Sequence, residues 1–285
     1  HLFGESAYSD NGAFAHLAGL KTGLSKDISF VGLFRTYPRD YHSIEPNAFG
    51  ETRTANNESG LFLGLDWNIN RQFRISAYAD TWKHQWLRSS VDQPTKGNEY
   101  LFRFRYYLKR QLEVYAQYKR EIKAVNISDN QSFKSIEDRF RNQLRVHMNL
   151  RLGGSIEWRS RAEYNHVQVL DEHSEGYMLY QDFIYRPLQK PLSFSCRYVL
   201  FKTDDYDSRI YAYENDLLYN FSLPAYFNSG RRFYINLRYR PVKSVTLEAR
   251  YAQTQYTDID EIGSGHDKIN ASSKHEAAFQ FRLTF

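Results

Sequence analysis

The chain of 285 residues carries 38 lysines and arginines against 33 aspartates and glutamates, with 23 tyrosines, 20 phenylalanines, 15 glycines and 7 prolines. Mean hydropathy is −0.67, and no stretch approaches the roughly 18 uncharged apolar residues of a spanning helix, which excludes a helical membrane protein. A single cysteine, Cys196, excludes an internal disulfide and supports no thiolate metal cluster, and the net charge of +5 is dispersed along the chain, only weakly suggesting an anionic partner.

Side chains alternate between apolar and polar along most of the chain, the period of a strand with two different faces. After a lead-in at 1–8, strands are expected at 11–24, 26–37, 59–70 and 73–84. A strand at 98–110 sets Tyr100, Phe102, Phe104, Tyr106 and Leu108 against Arg103, Arg105 and Lys109; another follows at 112–126. The strand at 138–153 is the most regular, with Phe140, Leu144, Val146, Met148, Leu150 and Leu152 opposing Arg139, Arg141, Gln143, Arg145, His147, Asn149 and Arg151. Next come 155–170, 175–188 and 192–204, where Cys196 falls in phase with Leu192, Phe194 and Tyr198 and reads as a small apolar side chain. Further strands are expected at 207–213, 217–227, 231–241, 244–258 and 274–285.

Strands of about ten to fifteen residues suit a tilted membrane crossing better than a soluble sandwich. Aromatics recur near strand ends, at Tyr37, Trp67, Trp82, Trp86, Trp158 and Tyr256. The pattern therefore predicts an all-β fold, a transmembrane antiparallel β-barrel of about sixteen strands within a range of roughly 14–18, forming one domain over 1–285 in a bacterial outer membrane. Connectors support it. Short turns at Ser25-Lys26, Arg71-Gln72, Arg110-Gln111, Gly153-Gly154, Leu188 to Pro191, Glu214-Asn215-Asp216 and Pro241 to Ser244 fall at one end, read as periplasmic. The long stretches 38–58, 85–97, 127–137 and 259–273 fall at the other.

The segments Gly32-Leu33-Phe34-Arg35-Thr36-Tyr37-Pro38-Arg39-Asp40-Tyr41-His42 and Asn47-Ala48-Phe49-Gly50-Glu51 carry a family likeness, as do Asn57 to Leu61, Ala77 to Asp80, Trp86-Leu87 and Arg209 to Asp216. Together they resemble the β-barrel region of helix-hairpin-helix-containing outer-membrane proteins of Bacteroidota, over the whole chain. The resemblance implies a barrel forming the C-terminal part of a longer chain whose preceding segment carries helix-hairpin-helix motifs, units associated elsewhere with sequence-independent DNA binding. No such motif falls within 1–285, so nucleic acid is not expected to bind through this segment. Likewise, Phe281, Leu283 and Phe285 resemble the C-terminal assembly signal of bacterial outer-membrane proteins, which implies recognition by the barrel-assembly machinery.

On the phase above, the inward face receives Arg103, Arg105, Arg139, Arg141, Arg145, Arg151, Glu157, Arg159, Arg161, Glu163, Arg197, Arg238, Arg240, Glu248, Arg250 and Arg282, with Glu113 and Glu276. Such a set serves either an anion-preferring pore or a network of salt bridges that occludes the lumen, and the latter is expected. No phosphate-binding loop, zinc-protease motif or nucleophile elbow occurs, and no cofactor is expected. The acidic stretches 171–175, 204–207 and 258–261 lack the spacing of a calcium loop and read as solvated connectors. The sequence thus predicts a non-catalytic outer-membrane barrel acting as an anchor or a narrow, gated conduit. Its partners would be outer-membrane lipids, with other outer-membrane or periplasmic proteins in a second reading, as a subunit of a larger assembly. A third reading is a barrel enzyme of lipase or protease type.

Overall fold

In the computed structural model, residues 1–44, 47–89, 91–127 and 135–284 are described. Their strands are β1 (Leu2–Tyr8), β2 (Phe14–Gly23), β3 (Ile28–Tyr37), β4 (Glu58–Asn68), β5 (Phe73–His84), β6 (Thr95–Leu108), β7 (Leu112–Asn126) and β8 (Ile136–Leu152). They continue as β9 (Ile156–Val169), β10 (Glu172–Tyr185), β11 (Leu192–Thr203), the short β12 (Ile210–Tyr211) and β13 (Ala225–Tyr226), then β14 (Ser229–Val242), β15 (Val245–Tyr256) and β16 (Ser273–Leu283). A 14-stranded sheet runs in the order β1 to β11, then β14, β15 and β16, while β12 and β13 pair only with each other.

The long strands agree with the alternation, and the 14 strands of the large sheet among the described residues lie at the lower end of the expected 14–18, below the central figure of about sixteen. Residues 207–213 and 217–227 do not join that sheet, and Glu214-Asn215-Asp216 is not a turn between spanning strands. They belong to one connection, 204–228, from β11 to β14, which pair directly with Leu192 opposite Tyr239 and Lys202 opposite Ser229. Alternation misleads here because the segment is indeed extended and two-faced: Ser208, Ile210, Ala212 and Glu214 are buried while Tyr211 and Tyr213 are exposed. Removing a pair of strands leaves an even number, so the parity of short and long connectors survives. The strand expected from 175 also begins earlier, at Glu172, which tightens the β9–β10 connection to Leu170 and Asp171.

The chain divides into two compact units, the first comprising 1–105, 117–143 and 167–173 and the second 106–116, 144–166 and 174–285. In the first, successive pairs β1–β2, β2–β3, β3–β4 and β4–β5 are antiparallel, with Arg35 opposite Gly60. A Cβ at Gly60 would lie 2.6 Å from the Arg35 guanidinium carbon, so glycine makes room for that side chain. In the second, β10–β11, β11–β14, β14–β15 and β15–β16 are antiparallel, and one register step places Asp182 opposite Arg197.

On β8 of the second unit, Leu144 and Val146 are exposed while Arg145 and His147 between them are half-buried. An apolar row outside and a polar row inside is the arrangement of a strand facing lipid. Val146→Arg should therefore lower folding stability in lipid vesicles by about 2–4 kcal/mol, whereas Arg at an inward position costs little. Urea titration of vesicle-inserted protein measures this, with Gln143→Ala as the inward control; equal tolerance at both positions would reverse the assignment of faces.

Candidate functional site

The densest chemistry of the second unit lies where segment 204–228 meets the polar face of β9, β10, β11, β14 and β15. Glu214 is fully buried and is held by four donor groups on three side chains: Arg232 Nε at 2.8 Å and Nη2 at 3.0 Å, Arg250 Nη2 at 2.5 Å, and the Tyr226 hydroxyl at 2.6 Å. Arg197 donates to both oxygens of Asp182, at 2.5 and 2.7 Å, and reaches the Tyr213 carbonyl at 2.6 Å. Its guanidinium carbon lies 3.8 Å from the Tyr180 ring centroid. Arg161 donates to the Tyr211 carbonyl at 3.2 Å, and Asn165 to those of Ser208 and Arg209 at 3.4 and 3.0 Å. The wall thus satisfies carbonyls of the segment that its own short β12–β13 pairing leaves over.

Toward the β11 end near Thr203, the same face is apolar: Met178, Tyr180, Val199 and Phe201 pack on Ile210, Ala212 and Tyr226. Close approach is permitted by Gly176, where a Cβ would stand 2.3 Å from the Ser208 carbonyl oxygen. Asp204 and Asp205 serve as turn caps here: Asp204 accepts from the Glu175 amide, and Asp205 from Ser174 and from the Asp207 and Ser208 amides. Burial opposes the charge of Glu214, but hydrogen bonding to Arg232 and Tyr226 and the charges of Arg232 and Arg250 outweigh it, holding the carboxyl below the ordinary glutamate range.

The first unit has its own buried cluster. Arg35 donates to Glu58 at 2.5 Å and to both oxygens of Asp80 at 2.7 and 3.2 Å. Glu58 also accepts from the Glu51 and Thr52 amides at 3.0 and 3.3 Å, and the Tyr37 hydroxyl donates to the Phe49 carbonyl at 2.8 Å. Glu51 in turn pairs with Lys123. Burial pushes the Glu51 carboxyl above its ordinary range despite that lysine.

Of the charges expected inside, the structure brings several together. Glu163 is shared by Arg145, at 2.7 Å, and Arg161. Glu157 pairs with Arg159 at 3.0 Å and only loosely with Arg151 at 3.9 Å; Glu248 and Arg238 stand 3.7 Å apart. Arg103 donates to Gln117 at 2.9 Å, Arg105 and Arg141 stand half-buried on the inward phase, and Arg240 is exposed. Arg282 is half-buried, its Nε without a hydrogen-bond partner among the described residues. Phe281 and Leu283 are exposed on β16, and Phe285 lies outside the described residues. Sequence reasoning missed Arg35, Glu58, Asp80, Asp182, Glu214 and Arg232. Arg232 was open to it, being in phase with Arg238 and Arg240; Glu214 was not, because it was read as a turn.

No protein-family model and no curated protein sequence matches the chain. Among solved structures it is similar to the ferric enterobactin receptor PfeA of Pseudomonas aeruginosa (a G324V mutant), at 12% identity and a TM-score of 0.55 over 90% of this chain and 43% of that one. It is also similar to BauA, the ferric preacinetobactin receptor of Acinetobacter baumannii, at 11% identity and a TM-score of 0.52 over 99% of this chain and 51% of that one. The chain thus spans about half the length of these receptors or less. The fold is that of an outer-membrane β-barrel, and the bacterial outer membrane is its place. The polar face of the strands is accordingly the lumen face.

Removing the Glu214 carboxylate leaves two arginines buried without their shared partner. Glu214→Ala should weaken the docking of 204–228 by about 3–5 kcal/mol, seen as faster hydrogen exchange across 208–226 while the strands stay protected. Gly176→Leu should loosen the same segment by steric displacement. Since the folded Glu214 pKa is depressed, its contribution is complete above the ordinary glutamate range and is lost as pH falls through the folded value. Protection across the segment, taken relative to the intrinsic exchange rate at each pH, should therefore fall on acidification in the wild type, and much less so in Glu214→Gln; identical acid profiles would remove Glu214 from the explanation.

Proposed function

We propose that this chain is a non-catalytic barrel of the outer membrane that acts as a narrow, gated conduit, closed by its own segment 204–228. The observation that carries the reading is the burial of Glu214 between Arg232 and Arg250, which fastens the segment across the lumen face of the second unit. A connection merely lying over the surface would not place its carboxylate against two arginines of the wall. The non-catalytic reading is supported by how the inward carboxylates are used. Asp182, Glu163 and Glu214 each accept from arginine at 2.5–2.8 Å, an arrangement that consumes the lone pairs a general base would need. On this reading the partners are the lipids around Leu144 and Val146 and the assembly machinery that receives the strand carrying Phe281 and Leu283.

In planar bilayers the unmodified barrel should conduct poorly, and replacing 206–227 by a short polar turn should raise single-channel conductance several-fold. Should the deletion fail to insert, the double variant Gly176→Leu/Glu214→Ala tests the same point with the chain length unchanged. A wide, steady conductance from the unmodified protein, unaltered by either change, would overturn the proposal.

A further inference from the structure

The end of the second unit at the 186–191 connector and the 243–244 turn holds a cavity of about 880 Å³. Its floor is the inward segment, through Asn215, Asp216 and Leu217, and β11, β14 and β15 supply its walls. Floor and wall are locked together: Asn236 donates to the Asn215 carbonyl at 2.7 Å. At the rim, the Arg240 amide donates to the Pro191 carbonyl at 2.8 Å, which pins the 186–191 connector beside β14.

The charges around this space do not balance. Arg186, Lys190, Arg238, Arg240 and Lys243 line it, against Asp216 and Glu248. Asp216 is already occupied, accepting from the Leu217 amide at 2.7 Å and Asn220 at 2.8 Å, with Arg250 at 3.6 Å behind it. Glu248 faces Arg238 at 3.7 Å, beyond a good hydrogen bond, and the Arg238 side chain remains 41% exposed. Among the described residues, Arg186, Lys190, Arg240 and Lys243 form no salt bridge. Elsewhere on the lumen face of this unit Arg145, Arg159, Arg161, Arg197, Arg232 and Arg250 each have a carboxylate within 3.0 Å, so the surplus is concentrated here. Cations gathered along a cleft whose protein walls are of low dielectric focus the field and attract anions.

We propose that this vestibule binds a small polyanion, an organic solute with two or more carboxylate or phosphate groups, between Arg238, Arg240 and Lys243. Apolar Leu217 in the floor leaves room for a carbon skeleton as well as for its charges. The inference rests on the proposed closed conduit, because the floor is the segment that closes it.

Citrate and pyrophosphate serve as probes, titrated calorimetrically into the folded barrel in zwitterionic detergent at low salt, with sucrose as the neutral control. Both anions should bind and sucrose should not. Arg238→Gln/Arg240→Gln/Lys243→Gln should weaken binding at least tenfold, while removing the same charge from other turns, in Lys26→Gln/Arg71→Gln/Lys109→Gln, should change it less than twofold. If the first triple variant fails to fold, Arg240→Gln alone should still weaken binding at least threefold, its side chain being exposed. Absence of polyanion binding, or equal weakening by the two triple variants, would overturn the inference and leave the closed conduit standing. Binding lost only with the vestibule arginines, in a barrel that nonetheless conducts widely, would uphold the site and sink the conduit reading instead.

Discussion

Everything in the second unit that distinguishes it from a plain sheet depends on one carboxylate meeting two guanidinium groups out of contact with water. An unpaired arginine at the depth of Arg232 or Arg250 is costly, and so is an unpaired glutamate in their midst. Bringing Glu214 between them removes both difficulties at once, but it can be done only by carrying the chain inward from the ends of β11 and β14. Once there, the backbone of 204–228 must find partners too, and Arg161, Asn165 and Arg197 donate to its carbonyls. The ion cluster therefore specifies the path of the connection, while the apolar contacts of Ile210, Ala212 and Tyr226 provide most of the burial. Arginine suits this task better than lysine, since its planar fork can grip a carboxylate and still reach a carbonyl.

The first unit uses the same device in a different place. Glu58 there accepts from Arg35 of the adjacent strand and from two backbone amides of the connector, those of Glu51 and Thr52. A buried glutamate thus again joins wall to connection, and Asp80 completes the satisfaction of the arginine. The geometry demands a missing side chain opposite Arg35, which Gly60 provides. Two connectors of this unit are also tied together at their bases, where Asn57 donates to the Trp86 and Leu87 carbonyls.

The spanning strands were legible because lipid and lumen impose opposite chemistries on alternate residues, as on β6 and β8. Charges on one strand were legible for the same reason, but which partner each would take was not, since register between strands sets that. Glu163 shows the limit: its inward direction and its nearness to Arg161 on the same strand follow from phase, whereas its pairing with Arg145 follows only from placement of β8 beside β9. The segment 207–227 was misjudged because a chain lying against a barrel wall is itself extended, with one face on the wall and the other turned away. Period two reports two unlike surroundings and does not say which. One signal in the sequence does point the right way. Tyr198-Val199-Leu200-Phe201 is apolar on both faces, which a strand between lipid and a water-filled lumen would not be. Val199 and Phe201 are buried because the segment covers them.

The inward phase of β14 shows how water access and charge pairing are linked along a single strand. Arg232 is buried and meets Glu214 and Glu276, at 2.8 and 2.7 Å. Tyr234 follows, fully buried, with its hydroxyl accepting from the Asn215 amide at 3.1 Å. Asn236 is half-buried and bonded to the segment; Arg238 has only the loose contact with Glu248; Arg240 is exposed. Where water is excluded, an arginine survives only with close acceptors, and the chain supplies them. Where water enters, hydration takes the place of a carboxylate and selection for a partner relaxes. The loosely matched arginines of this strand therefore collect at its wet end, beyond the part that the segment covers. The buried ion cluster and the cationic end of β14 are in this sense products of one fold, and residues 204–228 draw the boundary between them.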